Sequence, residues 1–308
     1  MNVKRLLKPI LSVGAVSALA GMAVMCTSVF DFDRVPREIA FGVLVDEGEG
    51  TKAVSEVTTA SINSSGFRAS ATTGSAGSES AVWTNEAFTV NADGFFTASG
   101  EGRWWPQGGD PNYHFYASNA SLTHTAAGAT VSATNSVDVV CAYKETPVYK
   151  SVNSLNFEHI FARLSDVSVS AKDGYTITDI SMMLTPKTGG TYNLRLGAGQ
   201  TDGTGWSGVT TAASPVNIAA GDPGVKSNDL WLVPGWYEVT LGWTATKGDY
   251  TKTFSGVLQF VQLTRGKINT LTASIGGDAK DVQFAVSVTP WDTSLPAINK
   301  TAADFTPL

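Results

Sequence analysis

Alternation of apolar and polar positions with a period of two runs through most of this chain and predicts strands. Ile39, Phe41, Val43 and Val45 alternate with Ala40, Gly42, Leu44 and Asp46 and predict a first strand. Phe88 and Val90, then Phe95 and Phe96 across Asn91-Ala92-Asp93-Gly94, predict a hairpin with an Asp-Gly turn. Tyr113, Phe115 and Ala117 predict another strand, as do Val137, Val139 and Cys141. In the second half Tyr192, Leu194 and Leu196 alternate with Asn193, Arg195 and Gly197. Tyr237, Val239, Leu241 and Trp243 do so without a break, and Ile268 to Ile275 and Val282 to Val288 complete the set. Residues 58–81, rich in Ser, Thr, Gly and Ala, read as an edge strand with a long loop, and Gly197 to Gly224 as turns in which Trp206 has no periodic context.

One stretch departs from this rhythm. From Leu155 to Val167 the apolar positions are Leu155, Phe157, Ile160, Phe161, Leu164 and Val167, so the spacing drifts from two towards three. A segment that hides both faces between β sequences reads as a seam pinned between two layers. The expected fold is therefore all-β, two tandem β-sandwiches over residues 39–154 and 155–292, with 155–167 as the bridging segment and 293–308 as a tail. A length of 308 residues suits two domains.

The first 25 residues read as an export signal. Lys4, Arg5 and Lys8 precede a 16-residue apolar run from Ile10 to Met25, short for a membrane span of about 20 residues. Cys26 follows at once, which is the bacterial lipoprotein arrangement, although Met25 and Ala23 depart from its usual small residue and Leu. The competing reading is ordinary cleavage after Ala18-Leu19-Ala20 with Cys26 incidental. Residues 26–38 form a linker in which Arg34 and Arg37 offer a trypsin-like protease a cut site ahead of the first strand; the alternative is two solvated charges.

Chemistry is sparsely signalled. A net charge of −6, more negative once Lys4, Arg5 and Lys8 are set aside, argues against nucleic-acid binding. The two cysteines, Cys26 and Cys141, are too few for a disulfide framework. His114, His124 and His159 lack metal-ligand spacing. No nucleophile elbow, phosphate loop or dinucleotide fingerprint occurs, so neither an enzyme nor a cofactor site is expected. Trp104 and Trp105 are read either as corner packing or as a platform for stacking on sugar rings, with Trp206 a further exposed-aromatic candidate.

Four blocks carry a resemblance. They are Ile39–Val45 with Thr51-Lys52-Ala53; Arg103-Trp104-Trp105-Pro106 leading to Tyr113-His114-Phe115-Tyr116-Ala117; Leu155 to Leu164 around Phe157-Glu158-His159; and Leu232-Val233-Pro234 through Gly266-Lys267 to Val286-Ser287-Val288-Thr289-Pro290-Trp291. In order and spacing they resemble the fimbrillin family of Bacteroidetes. That resemblance implies transthyretin-like sandwiches, export, lipidation at Cys26, an outer-membrane lipoprotein precursor, and cutting by an arginine-specific protease at the cell surface. Removal of the first strand (Ile39, Phe41, Val43, Val45) would leave a groove that a strand from another pilus subunit fills, because an open sheet edge exposes both unpaired backbone and an apolar slot. Leu295, Ile298, Phe305 and Leu308 make the tail the candidate donor. A host or glycan receptor is the remaining partner class, and a glycan-binding surface lipoprotein the alternative function.

Overall fold

The computed structural model describes residues 38–45, 57–106, 112–146, 152–221, 223–276, 281–290 and 298–300. Cys26, Arg34, Arg37, Leu295, Phe305 and Leu308 lie outside them. The described chain is all-β. Seven strands close into a ring in the order β1 (Phe41–Val45), β4 (Phe96–Ala98), β3 (Ser80–Val90), β2 (Phe67–Thr73), β5 (Tyr113–Ser118), β8 (Val140–Thr146) and β9 (Asn153–His159). A second layer pair follows. One sheet runs β15 (Gly224–Leu232), β10 (Ala162–Ala171), β18 (Lys267–Gly276), β19 (Asp281–Pro290), β20 (Ile298–Lys300); its partner runs β14 (Val216–Gly221), β11 (Thr176–Leu184), β16 (Gly235–Lys247), β17 (Tyr250–Leu263). A third sheet, β13 (Trp206–Thr211), β12 (Lys187–Asn193), β7 (Gly128–Thr134), β6 (Leu122–Thr125), takes strands from both halves of the sequence.

Three apolar clusters correspond to these layers. The ring encloses Phe41, Phe67, Phe88, Phe96, Phe115 and Phe157 among others. The layer pair encloses Leu164, Val167, Met182, Val239, Leu241 and Leu271. Between them Tyr116, Val131, Ile160, Phe161, Tyr192 and Trp231 form a junction core. The segment Leu155–Val167 feeds all three in turn, so its drifting periodicity records two successive changes of burial partner. The unbroken alternation of β16 needs no such change: Tyr237, Val239, Leu241, Trp243 and Ala245 all face one core.

Local reasons explain where the pattern misled. Residues 59–65 form a helix, not an edge strand, because Thr58 and Ser61 exchange capping-box bonds at its start. The strand β2 that follows is central, paired with both β3 and β5. The alternation through Leu194 and Leu196 ends at Asn193, whose side-chain oxygen accepts from Leu196 N and starts a short helix over Leu194–Gly197. Trp206 opens strand β13, and its ring packs on Phe161 and Tyr192, at 5.1 and 5.4 Å between centroids. The Asn91–Gly94 turn does form, with Asn91 Oδ1 accepting from Asp93 N and Phe95 N and Gly94 at φ +82°.

Polar contacts lock the junction. His159 Nδ1 and Asp138 Oδ1 are 2.9 Å apart and buried, and Asp138 Oδ2 accepts from Val57 N. Arg265 donates to Glu158 and to the Tyr192 hydroxyl. Glu79, with its side chain fully buried, accepts from Thr72, from the Tyr116 hydroxyl at 2.7 Å and from Arg195. Burial pushes the Glu79 carboxyl up, but those three bonds and the nearby His114 together hold it below its usual 4.5. A depressed folded value means the contribution to stability is complete above 4.5 and is lost as pH falls through the folded value. Glu79→Gln is therefore expected to cost about 3 kcal/mol at neutral pH and to flatten the acid limb of Tm against pH, read by thermal melts from pH 3 to 7.

Candidate functional site

The strand β1 is the closing element of the ring, and its environment is the candidate site. On one side it runs parallel to β9 with five register pairs, Phe41↔Asn153, Gly42↔Ser154, Val43↔Leu155, Leu44↔Asn156 and Val45↔Phe157. On the other it meets the three-residue β4 through one pair, Phe41↔Phe96. The strand is thus held chiefly along one edge. Just ahead of it Glu38 bridges Trp104, and Ile39 N donates to Arg103 O at 2.6 Å. At its far end Val45 N donates to Thr59 Oγ1 at 3.1 Å.

Alternation decides which side chains enter the ring. Ile39, Phe41 and Val45 are buried and Val43 is half-buried against the same core, whereas Leu44 is 61% exposed. Phe41 sits edge-on to Phe67, Phe88 and Phe115 with centroids 6.1, 5.2 and 5.1 Å apart. Phe67 in turn stacks on Phe88 and meets Phe157. Burying Ile39, Phe41 and Val45 is worth about 1.5–3 kcal/mol each. Their sum, on the order of 5–9 kcal/mol, rivals the whole net stability of about 5–15 kcal/mol that domains possess. A ring that lost β1 and received nothing in its place would be left with two bare edges and an open aromatic slot.

Other residues singled out in the sequence fall elsewhere. Trp105 is buried, stacked on Tyr113 at 5.6 Å, while Trp104 is 53% exposed beside the entry to β1. Trp206 belongs to the junction core. Of the three indoles, Trp104 alone offers a broad open face. Ile298 begins β20, whose backbone pairs antiparallel with β19 through Val288↔Ile298, Ser287↔Asn299 and Val286↔Lys300. His114 bonds Tyr143 and the Gly74 carbonyl. A cavity of about 180 Å³ at the junction is lined by Cys141, Tyr143, Glu158, Tyr192 and Arg265. Its Arg265 is already engaged, and burial pushes the Cys141 thiol up to about 12, so that sulfur carries no thiolate at neutral pH. Among the walls of the β1 slot, Asn153 is absent from the sequence reading, and Phe157, read there as part of the seam, proves to pair with Val45 of β1. Nothing in one chain's periodicity names the partner of a parallel pair.

Comparison with known proteins follows from this architecture. A family model described as fimbrillin-like matches residues 51–291, beginning downstream of β1. Among solved structures the chain is similar to a fimbrial protein from Bacteroides vulgatus, at 15% identity and TM-score 0.47, covering 82% of this chain and 99% of that one. It is also similar to a fimbrial assembly protein from Parabacteroides distasonis, at 11% identity and TM-score 0.43, covering 86% of this chain and 99% of that one. A comparison with curated proteins gave no match. The family model spans most of the described strands, and on that match this chain belongs to the fimbrillin-like family.

Proposed function

We propose that this chain is a structural or adhesive subunit of a cell-surface pilus, assembled by replacing β1 with a strand from a neighbouring subunit. The observation that carries the reading is the placement of Phe41: it is central to the ring's core, yet its strand is paired along one side almost alone. The slot's two edges and its aromatic floor suit an extended segment with large residues at alternate positions. Repeated head to tail, such a contact does not close on itself and yields a filament. The family match supports the pilus-subunit part of this reading.

The upstream part of the proposal is export with Cys26 as the lipidated residue, anchoring the precursor in the outer membrane, and trimming after Arg34 or Arg37. Chain order adds a requirement. Both arginines precede β1, so hydrolysis there frees the strand's amino end but leaves Val45 joined to the body through residues 46–56. Full release needs a second scission between Val45 and Val57, where Lys52 is the one basic residue. The tail carrying Leu295, Ile298, Phe305 and Leu308 is the proposed donor. A receptor-binding role would use the exposed face of Trp104, and Trp104→Ala would then abolish sugar binding without affecting assembly.

N-terminal sequencing of the surface form is expected to place its start beyond Val45, at Ala53 where scission follows Lys52. Mild denaturing gels of that form should show heat-resistant oligomer ladders. A surface form that keeps β1 and still forms normal ladders would overturn strand replacement. Phe41→Ala gives an independent check: the precursor should lose about 3–5 kcal/mol in denaturant unfolding, while polymer made from the processed chain, which has discarded residue 41, should melt as wild type does.

A further inference from the structure

One wall of the β1 slot is chemically mismatched to its occupant. Asn153 stands on β9 with the same parity as Leu155 and Phe157, so its side chain enters the ring interior with theirs. It is 0% exposed, and neither Oδ1 nor Nδ2 has a hydrogen-bond partner among the described residues. Its backbone N–H is paired, donating to Ala40 O at 2.9 Å. The inward face of the resident strand explains the deficit. It consists of Ile39, Phe41, Val43 and Val45, with Phe41 in register with Asn153, and offers that amide nothing to bond. A buried amide left unmet is destabilising in a way that an apolar side chain of the same size is not.

We propose that Asn153 selects the strand that replaces β1, favouring one that brings a hydroxyl or amide side chain into the ring, as the tail of a second copy, residues 293–308, put forward above as the donor, would do. This rests on the strand-replacement reading above. The tail's sequence has the face that β1 lacks: Asn299, Thr301, Ala303 and Phe305 share one parity, so an aromatic anchor and two hydrogen-bonding side chains point the same way in an extended segment. The mismatch acts on both ends of the exchange. It loosens the resident strand, and it rewards the incoming one.

Asn153→Leu in the full chain tests this, with two readouts: Tm of the unprocessed protein, and the fraction of surface protein in heat-resistant oligomers. The variant is expected to raise Tm by several degrees and to lower the oligomer fraction about tenfold, the consequence of removing one unmet amide from the precursor and one satisfied amide from the polymer. A Tm that is unchanged or lower, or an oligomer fraction equal to wild type, overturns the proposal. Should Asn153→Leu not accumulate as folded protein, Asn153→Ala read as oligomer per folded precursor answers the same question. The double variant Asn299→Leu, Thr301→Val should reproduce the loss of oligomers with Asn153 intact; normal ladders from it would exclude the tail as occupant. Absence of ladders from wild type itself would instead remove strand replacement, which keeps the two failures apart.

Discussion

A seven-stranded sheet wrapped around phenylalanines cannot leave β4 and β9 as bare edges, and the five residues of β1 are what joins them. Unpaired backbone groups beside an apolar slot are a template for whatever extended segment comes near. Most proteins hide such an edge permanently. Here the cover is short, reaches β4 through a single register pair, and lies within the first part of the described chain. Its side chains nonetheless occupy the middle of the ring's aromatic cluster. A strand whose Phe41 sits at the centre of the ring's core is therefore held to β4 by a single register pair.

The remainder of the described chain is built onto the wall of that slot. β9, the principal partner of β1, leads directly through Ile160 and Phe161 into the junction core and then into β10 of the layer pair. The slot wall is thus continuous with the far half of the protein. Side-chain bonds reinforce the continuity: Arg265 on the C-terminal side reaches Glu158 of β9, and Arg195 reaches Glu79 in the turn between β2 and β3. The third sheet, built of β6 and β7 from one half and β12 and β13 from the other, ties the halves through backbone pairing as well. Such cross-bracing joins the wall of the β1 slot to the far half of the described chain by packing, side-chain bonds and backbone pairing alike.

Legibility in the sequence tracked how many cores a segment touches. Strand β16 faces one core and solvent, and its alternation was plain. Strand β5 is buried on both sides, with Phe115 in the ring core and Tyr116 in the junction core, so its period of two said strand without saying which face was inner. The helix over residues 59–65 and the one after Asn193 were hidden because side-chain capping at Thr58, Ser61 and Asn193 set them, overriding a weak apolar pattern. Trp104 and Trp105 were indistinguishable as letters; the Glu38 bridge and the Tyr113 ring separate the exposed one from the buried one.

What the amino-acid order determined by itself was the all-β class and the alternation that sends Ile39, Phe41 and Val45 inward, because side-chain direction in a strand is a local property with a period of two; of the stretch 155–167 expected to hide both faces, only 159–164 does so, since Asn156 is exposed. What only the tertiary structure decided was who sits beside whom. The parallel pairing of β1 with β9 and the unmet amide of Asn153 arise between residues more than a hundred positions apart, and the single pair with β4 joins Phe41 to the distant Phe96. Their contact is the outcome of closing a ring, and no local pattern encodes it.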